Sequence, residues 1–198
     1  MSRCKPHLPL AAFLTIVLLP ATVLAQEAEY GSPEAKAMIE DALSAITAEL
    51  AMGATVVDWE QNVLKEGDNG WTCFPTPANF EKAPMCFDEP WLAWADGWMN
   101  QEPVSIDRVG IGYMLAGDSG ASNSDPYAEE PTDDWVVTGP HLMVIVPNNA
   151  GLEGITTEPG GDGPWVMWAG TPYAHIMVPV GKHGSMREGM HEKEMGCQ

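Results

Sequence analysis

The chain has 198 residues, of which 28 are Asp or Glu and nine are Lys or Arg, so its formal net charge at pH 7 is −19. A charge of this sign and size repels phosphate backbones and anionic lipid surfaces, which argues against nucleic-acid binding and membrane association. Apolar residues make up 45% of the chain and include eight Trp, a composition typical of a folded domain and not of a disordered chain.

Residues 1–25 have the layout of a secretory signal peptide. Arg3 and Lys5 form a basic start, and the apolar run over 8–19 that follows is too short to span a bilayer. Val23 and Ala25 are small residues at the −3 and −1 positions of a cleavage site. We therefore expect cleavage after Ala25 and a mature protein in the periplasm or the extracellular medium, without a membrane anchor.

Segment 26–53 is predicted to be an N-terminal helical segment. Ser32 and Pro33 are typical of a helix start, because they place a capping hydroxyl before a proline at the first helical position. Apolar residues then recur at helical spacing as far as Leu50, and Gly53 provides an end.

Cys73 and Cys86 are predicted to form a disulfide. An exported protein meets an oxidising environment, and these two cysteines close a short loop rich in Pro. In the chain-entropy model a loop of this length contributes about 3 kcal/mol. Cys4 leaves with the signal peptide, and Cys197 remains as a free thiol or as a link to another molecule.

A second helix is predicted to begin at Asp88-Glu89-Pro90. Trp91, Trp94 and Trp98 fall on one face of this helix. Two interpretations of this face stay open. The three rings form a platform that binds a sugar or another ring, or they pack in the core, as Trp at helical spacing more often does. These tryptophans are the candidate ligand-binding residues.

The rest of segment 54–180 is predicted to consist of short strands rich in Val, Ile and Trp. Residues 117–134 interrupt them as an irregular surface loop. The loop has many side-chain oxygens but not the spacing of an EF-hand, so we predict Asx turns that satisfy their own backbone. The strands are predicted at 54–59, 63–66, 71–74, 104–115, 135–138, 142–146, 165–168 and 175–180.

These elements predict an α+β fold, namely a single domain whose mostly antiparallel sheet has two helices packed on it. Segment 54–180 is the predicted α+β core domain. Residues 181–198 show no periodic pattern and are predicted to form a flexible tail that contains His and Met.

Four phrases in the core domain resemble a group of exported bacterial proteins of unknown function. They begin at Gly70, Ala121, Gly139 and Pro172 and read GWTC, ASNSDP, GPHLMV and PYAHIMVPV. The resemblance covers about residues 54–180. It implies one compact exported domain, and it implies no activity, cofactor or catalytic residue.

A His-x-Met pattern occurs twice in the predicted strands. Residues two apart in a strand share a face, so His141 lies beside Met143 and His175 beside Met177. If the strands are neighbours, these four side chains form a candidate metal site, and imidazole with thioether suits cuprous copper as a cofactor. In the competing interpretation the methionines pack in the core and the histidines bond to backbone.

Two classes of function remain open. The absence of a convincing nucleophile motif favours a binding or accessory module for a small ligand, a soft metal or a partner protein of the cell envelope. The alternative is a secreted hydrolase-type enzyme in which His141 or His175 is the general base beside an acid such as Asp107 or Asp118.

Overall fold

The computed structural model of the protein describes residues 31–161 and 163–181. The predicted signal peptide, residues 26–30 and the predicted tail after residue 181 lie outside these ranges. The described residues form three helices, an eight-stranded sheet and a two-stranded sheet, and nearly all strand pairs are antiparallel. The predicted single α+β domain is therefore confirmed. No helix in the described part of the chain is long and apolar enough to cross a membrane.

Most of the helices and strands are short. In chain order they are α1 (Pro33–Leu43), α2 (Ala48–Ala51), β1 (Thr55–Val57), β2 (Val63–Lys65), β3 (Thr72–Phe74), β4 (Met85–Phe87), α3 (Glu89–Met99), β5 (Gly110–Met114), β6 (Ala121–Ser122), β7 (Trp135–Val136), β8 (His141–Ile145), β9 (Trp165–Met167) and β10 (His175–Pro179). The main sheet has the order β2-β1-β3-β4-β5-β8-β10-β9, in which β1 and β3 are parallel. β6 and β7 form the second sheet.

α1 and α3 begin at the caps that the sequence predicts. Ser32 Oγ accepts a hydrogen bond from the backbone N–H of Ala35, and Asp88 Oδ1 accepts one from the N–H of Trp91. Each cap is followed by a proline within the first two helical positions, where its missing N–H costs nothing. Local sequence therefore fixes the N-terminal ends of both helices.

The prediction of one helix that continues to Gly53 is wrong, because α1 ends at Leu43 and α2 is a separate short helix. Ala45 lies in the gap between them. Its carbonyl oxygen accepts a hydrogen bond of 2.9 Å from the N–H of Leu115, just after β5. This tertiary bond takes the place of a bond within the helix, so the chain leaves helical geometry here.

Several strands differ from the sequence prediction. The strand predicted over 135–138 contains only the two residues of β7, which pair with β6 outside the main sheet. The strand predicted over 104–115 is shorter, since β5 contains only its last part. The predicted loop between the two cysteines ends in a strand that was not predicted, because β4 begins at Met85, includes Cys86 and pairs with β3 and β5. A three-residue strand that is buried by its neighbours needs no alternating pattern of its own, so its sequence carries little signal.

The disulfide between Cys73 and Cys86 is confirmed. The two cysteines lie directly opposite each other in the antiparallel register of β3 and β4, and both are fully buried. They belong to a small core beneath α1, together with Ala42, Val56 and Leu64. The bond therefore joins two neighbouring strands inside this core.

The opposite face of the sheet packs against α3 and holds the larger core. This core contains Trp91 and Trp94 of α3 and Met143 and Ile145 of β8. Buried and half-buried residues alternate along β8, and they alternate along β10 as far as Val178. Burial of these two strands is therefore complete only on the face toward α3.

Gly110 allows α3 to approach β5 closely. A Cβ atom at this position would lie 2.8 Å from Ile145 Cδ1 and 2.9 Å from Pro90 Cβ. Both contacts are closer than van der Waals packing permits, and both neighbours are buried in the core. A side chain here would therefore push α3 away from the sheet.

We expect Gly110→Ala to lower the free energy of unfolding by about 1 to 3 kcal/mol, because the added methyl group overpacks the core between α3 and β8. Denaturant unfolding followed by circular dichroism measures the change. Gly163→Ala is the control, since a Cβ atom there meets nothing within 4 Å, and it should change stability by less than about 0.5 kcal/mol. Equal stability of the two variants would contradict the packing argument.

Candidate functional site

The two His-x-Met segments lie on directly paired strands. In the antiparallel register of β8 and β10, Met143 faces Met177 and His141 faces Pro179. His175 lies four residues before Pro179, which separates the Cα atoms of the two histidines by about 13 Å along the strands. The structure therefore brings the two methionines together and places the histidines at opposite ends of the ladder.

His141 lies beside one of the predicted acids. The side chain is fully buried, its Nδ1 donates to Gly139 O at 2.7 Å, and its Nε2 lies 3.9 Å from Asp118 Oδ2. Asp118 Oδ1 accepts hydrogen bonds of 2.9 Å from the N–H groups of Gly120 and Thr138. Burial raises the pKa of Asp118 to about 6, although these two hydrogen bonds oppose the shift.

The pair of His141 and Asp118 has the composition that the hydrolase hypothesis requires, but the pair is enclosed. His141 has no exposed surface, and the Asp118 side chain is 14% exposed. A general base must reach the proton it removes from a substrate. Asp107, the other predicted acid, is exposed, and its Oδ1 lies 3.6 Å from Arg108 Nη1.

His175 is surrounded by tryptophan rings. Its imidazole makes edge contacts with Trp168 at 5.0 Å and with Trp91 and Trp94 at 5.6 Å between ring centroids. Its Nδ1 donates to Tyr173 O at 3.0 Å, because a carbonyl oxygen can only accept. Burial lowers the pKa of His175 to about 4. The hydrogen bond to Tyr173 opposes this shift, and charge on His141 adds to it. The ring is therefore neutral at physiological pH.

The three candidate tryptophans of α3 differ in exposure. Trp91 and Trp94 are 1% and 4% exposed and pack in the core, whereas Trp98 is half-buried. The Trp98 ring is nearly parallel to the rings of Trp168 and Tyr127, with centroid distances of 5.7 Å and 6.2 Å. Only Trp98 of the three therefore keeps part of its ring open to a ligand.

The polar loop over 117–134 satisfies much of its own backbone, which supports the predicted Asx turns. Asp125 Oδ1 accepts from the N–H of Tyr127 at 2.9 Å, and Ser122 Oγ accepts from the N–H of Asp125 at 3.0 Å. The loop is less irregular than predicted, because it contains β6, and Ser122 is 1% exposed.

A groove lies beside β9, at one edge of the main sheet. It consists of two adjoining cavities of about 410 and 500 Å³, which share Thr157 and Ala169 in their walls. We call the pair the β9 groove. The smaller cavity is lined by the apolar side chains of Leu152, Ile155, Val166 and Ala174, together with polar groups that include Glu153. The larger cavity is lined by polar and acidic side chains, including Ser124, Asp133, Asp134 and Glu158.

Asn123 holds the walls of the groove together. Its Nδ2 donates to Thr157 O at 3.0 Å, and its Oδ1 accepts from Trp165 Nε1 at 3.1 Å. Its backbone carbonyl accepts from the N–H of Trp168 at 2.8 Å, and its own N–H donates to Asp134 O at 3.1 Å. One residue therefore joins the polar loop, β9 and the segment after β8.

The outer side of β9 is closed to strand addition at two positions. The N–H of Val166 donates to Thr156 O at 2.8 Å, and the N–H of Trp168 is used by Asn123. A peptide that adds to a sheet edge needs free backbone groups there. A ligand of the β9 groove must therefore bind through side chains and cavity walls.

Trp168 is held in a strained backbone conformation next to the shared wall. Its φ is 55°, a left-handed value that costs a bulky residue on the order of 1 to 2 kcal/mol. Its Nε1 donates to Ser122 O at 2.8 Å, and its ring stacks on Trp94 with centroids 6.0 Å apart. These contacts hold Trp168 in place and so position Ala169 in the groove wall.

The groove is acidic. Its described lining residues include Asp133, Asp134, Glu153 and Glu158 and contain neither Lys nor Arg. Hydrogen bonds from Ser124, Thr132 and Ser122 lower the pKa of Asp134 to about 2. The carboxylate of Asp134 is therefore ionised and fixed in orientation at neutral pH.

Comparison with protein-family models, with curated proteins and with solved structures finds no match to this chain. The resemblance to exported bacterial proteins stays a prediction. Residues 31–161 and 163–181 contain no group of three or more His, Cys, Asp or Glu arranged to hold a metal ion. Met143 and Met177 would supply thioether ligands, which belong to a different class, so copper binding by the His-x-Met segments also stays a prediction.

Sequence reasoning missed the groove because its walls come from loops. Asn123 and Thr157 are 34 positions apart, and no periodic pattern links them. The sequence assigned Asn123 to a polar turn and gave Ala169 no role. The available signal was the recurrence of acidic residues in two loops, at 133–134 and at Glu158.

We expect Asn123→Ala to lower the free energy of unfolding by about 1 to 2 kcal/mol, because the buried Trp165 side chain loses the hydrogen bond of its Nε1 to the Asn123 amide and the exposed Thr157 O loses a donor. Thermal and denaturant unfolding measure the effect. Asn79→Ala, at an exposed position, is the matched control and should change stability by less than about 0.5 kcal/mol. A similar small effect at Asn123 would show that the groove walls do not depend on its amide.

The low pKa of His175 predicts a pH-dependent contribution to stability. The unfolded chain binds a proton at this residue below about pH 6.5, whereas the folded protein binds it only below about pH 4. Acid therefore favours the unfolded state across this range, by up to about 3 kcal/mol. The raised pKa of Asp118 has the opposite effect between its ordinary value of 3.8 and about 6, so a variant is needed to separate the two contributions to stability.

We expect His175→Gln to be much less stable than the natural protein at pH 7 and the difference to shrink as the pH falls to 4. Asp118 is present in both proteins, so its contribution cancels. Denaturant unfolding at a series of pH values gives the difference, and NMR of the imidazole nitrogens gives the pKa directly. A difference that is constant with pH would contradict the neutral, buried state of His175.

Proposed function

We propose that the protein is an exported binding protein that holds a small ligand in the β9 groove. The observation that carries this proposal is the pair of adjoining cavities of about 410 and 500 Å³, since ligand sites in proteins have volumes of roughly 300 to 1,000 Å³. The layout of residues 1–25 and the Cys73–Cys86 disulfide support export, because disulfides persist in oxidising compartments.

The groove is a better candidate for a ligand than the His-x-Met segments. The strand register separates the two histidines, and the Nδ1 atom of each already donates to a backbone carbonyl. Met143 and Met177 are buried in the larger core, as methionine commonly is. The groove, in contrast, is open and contains groups that differ in polarity from one end to the other.

Binding is favoured over hydrolysis at this groove. Its described lining residues supply carboxylates, hydroxyls and amides but neither His nor Cys. The enclosed pair of His141 and Asp118 lines neither of the two cavities. The groove thus offers groups that orient a ligand, and it lacks the paired nucleophile and base that acyl transfer requires.

We expect Ala169→Trp to abolish ligand binding, because the indole fills the wall that both cavities share. The probes are 4-phenylbutylamine, 4-phenylbutanol and 4-phenylbutyrate, which have the same apolar body and different head groups. Titrations followed by ¹H–¹⁵N NMR spectra measure the affinity and locate the shifted residues. At least one probe should shift residues of the β9 groove in the natural protein and leave them unshifted in the variant.

Ala37→Trp on α1 is the control, since Ala37 is exposed in the described structure and lines neither cavity. It should bind the same probes as the natural protein does. The proposal fails if none of the probes shifts groove residues, or if Ala169→Trp binds them as tightly as the control.

A further inference from the structure

We propose that the ligand of the β9 groove is a small organic cation, with an apolar body in the smaller cavity and an ammonium or guanidinium group among the carboxylates of the larger one. This inference rests on the proposed function and gives the chemical class of the ligand. It follows from the different linings of the two cavities and from their common wall.

The smaller cavity is built to take an apolar body. Val166 and Ala174 are 3% exposed and form a fixed part of the lining, while Leu152 and Ile155 are half-buried and complete it. Covering the remaining apolar surface with a hydrocarbon body favours the complex, because it removes that surface from water. This half of the groove therefore supplies apolar contact, and the Glu153 carboxylate in its lining adds to the negative charge of the groove.

The larger cavity selects the charge. Asp133 and Glu158 are exposed, and Asp134 is held in place by the Ser122 and Thr132 hydroxyls. Three carboxylates without a neighbouring Lys or Arg among the described lining residues leave negative potential in the cavity. A cationic group reduces this repulsion, whereas an anionic group increases it.

The groove fits an organic cation better than a metal ion. Hard cations such as calcium bind six to eight oxygens at close range, and the described residues contain no such group of acidic side chains. Asp134 Oδ1 already accepts hydrogen bonds from two hydroxyls. The larger cavity measures about 500 Å³, far more than one ion fills, and it opens onto an apolar neighbour.

The head group is tested with the three phenylbutyl probes against the natural protein. We expect 4-phenylbutylamine to bind at least about tenfold more tightly than 4-phenylbutanol, and 4-phenylbutyrate to bind most weakly. Raising the salt concentration should weaken binding of the amine and leave that of the alcohol unchanged, since salt screens only the charged contact.

The carboxylates are tested with the double variant Asp133→Asn, Glu158→Gln. It should lower the affinity for 4-phenylbutylamine about tenfold and leave that for 4-phenylbutanol unchanged. The charge-matched control is Glu81→Gln, Glu129→Gln, which removes two exposed carboxylates that line neither cavity. The control should change the affinity for the amine by less than about twofold, because distant surface charges are screened.

Three results would overturn this inference, and they separate it from the proposed function. If the alcohol binds as tightly as the amine and Ala169→Trp abolishes both, the groove is a binding site and its charge selectivity is refuted. If the control double variant loses as much amine affinity as the groove variant, only the net charge of the protein attracts amines. If Ala169→Trp binds the amine normally, both the inference and the proposed function are wrong.

Discussion

The position of β9 at the edge of the main sheet is the constraint on which the candidate site depends. An edge strand leaves backbone N–H groups without partners, and an open edge also invites pairing with other chains. Here the carbonyl oxygens of Asn123 and Thr156 accept from two of these groups. The two loops meet the strand at separate points, and the space between them remains as the β9 groove. The same two loops therefore cover the edge of the sheet and form the walls of the cavity.

The same closure explains how groups of opposite polarity come to share one wall. Residues 117–134 are mostly polar and satisfy much of their own backbone through Asx turns, while Ala121 packs against the larger core and Tyr127 against Trp98. The segment after β8 carries Leu152 and Ile155, which pack toward β9. Because Asn123 fastens the polar loop to this segment through Thr157 O, the carboxylates are fixed beside apolar side chains that are distant in sequence.

The sequence predicted those parts of the fold that are encoded locally. The caps at Ser32 and Asp88 and the β-branched residues of β8 and β10 predicted where elements begin, and the cysteine pair predicted the disulfide. The sequence could not predict the break between α1 and α2, where the N–H of Leu115 donates a hydrogen bond to Ala45 O. The strand register and the partners of Asn123 were equally inaccessible, since both are set by contacts between distant segments. The groove consists almost entirely of such contacts.

The tryptophan cluster gives the protein a built-in optical signal. The rings of Trp94, Trp98 and Trp168 are nearly parallel, with interplanar angles between 5° and 19° and centroids about 6 Å apart. Indoles at this spacing couple electronically, so their near-ultraviolet circular dichroism and emission depend on the geometry of the stack. Trp168 directly precedes Ala169 in the groove wall. If the β9 groove is the ligand site, we expect its occupancy to change these native spectra without any label.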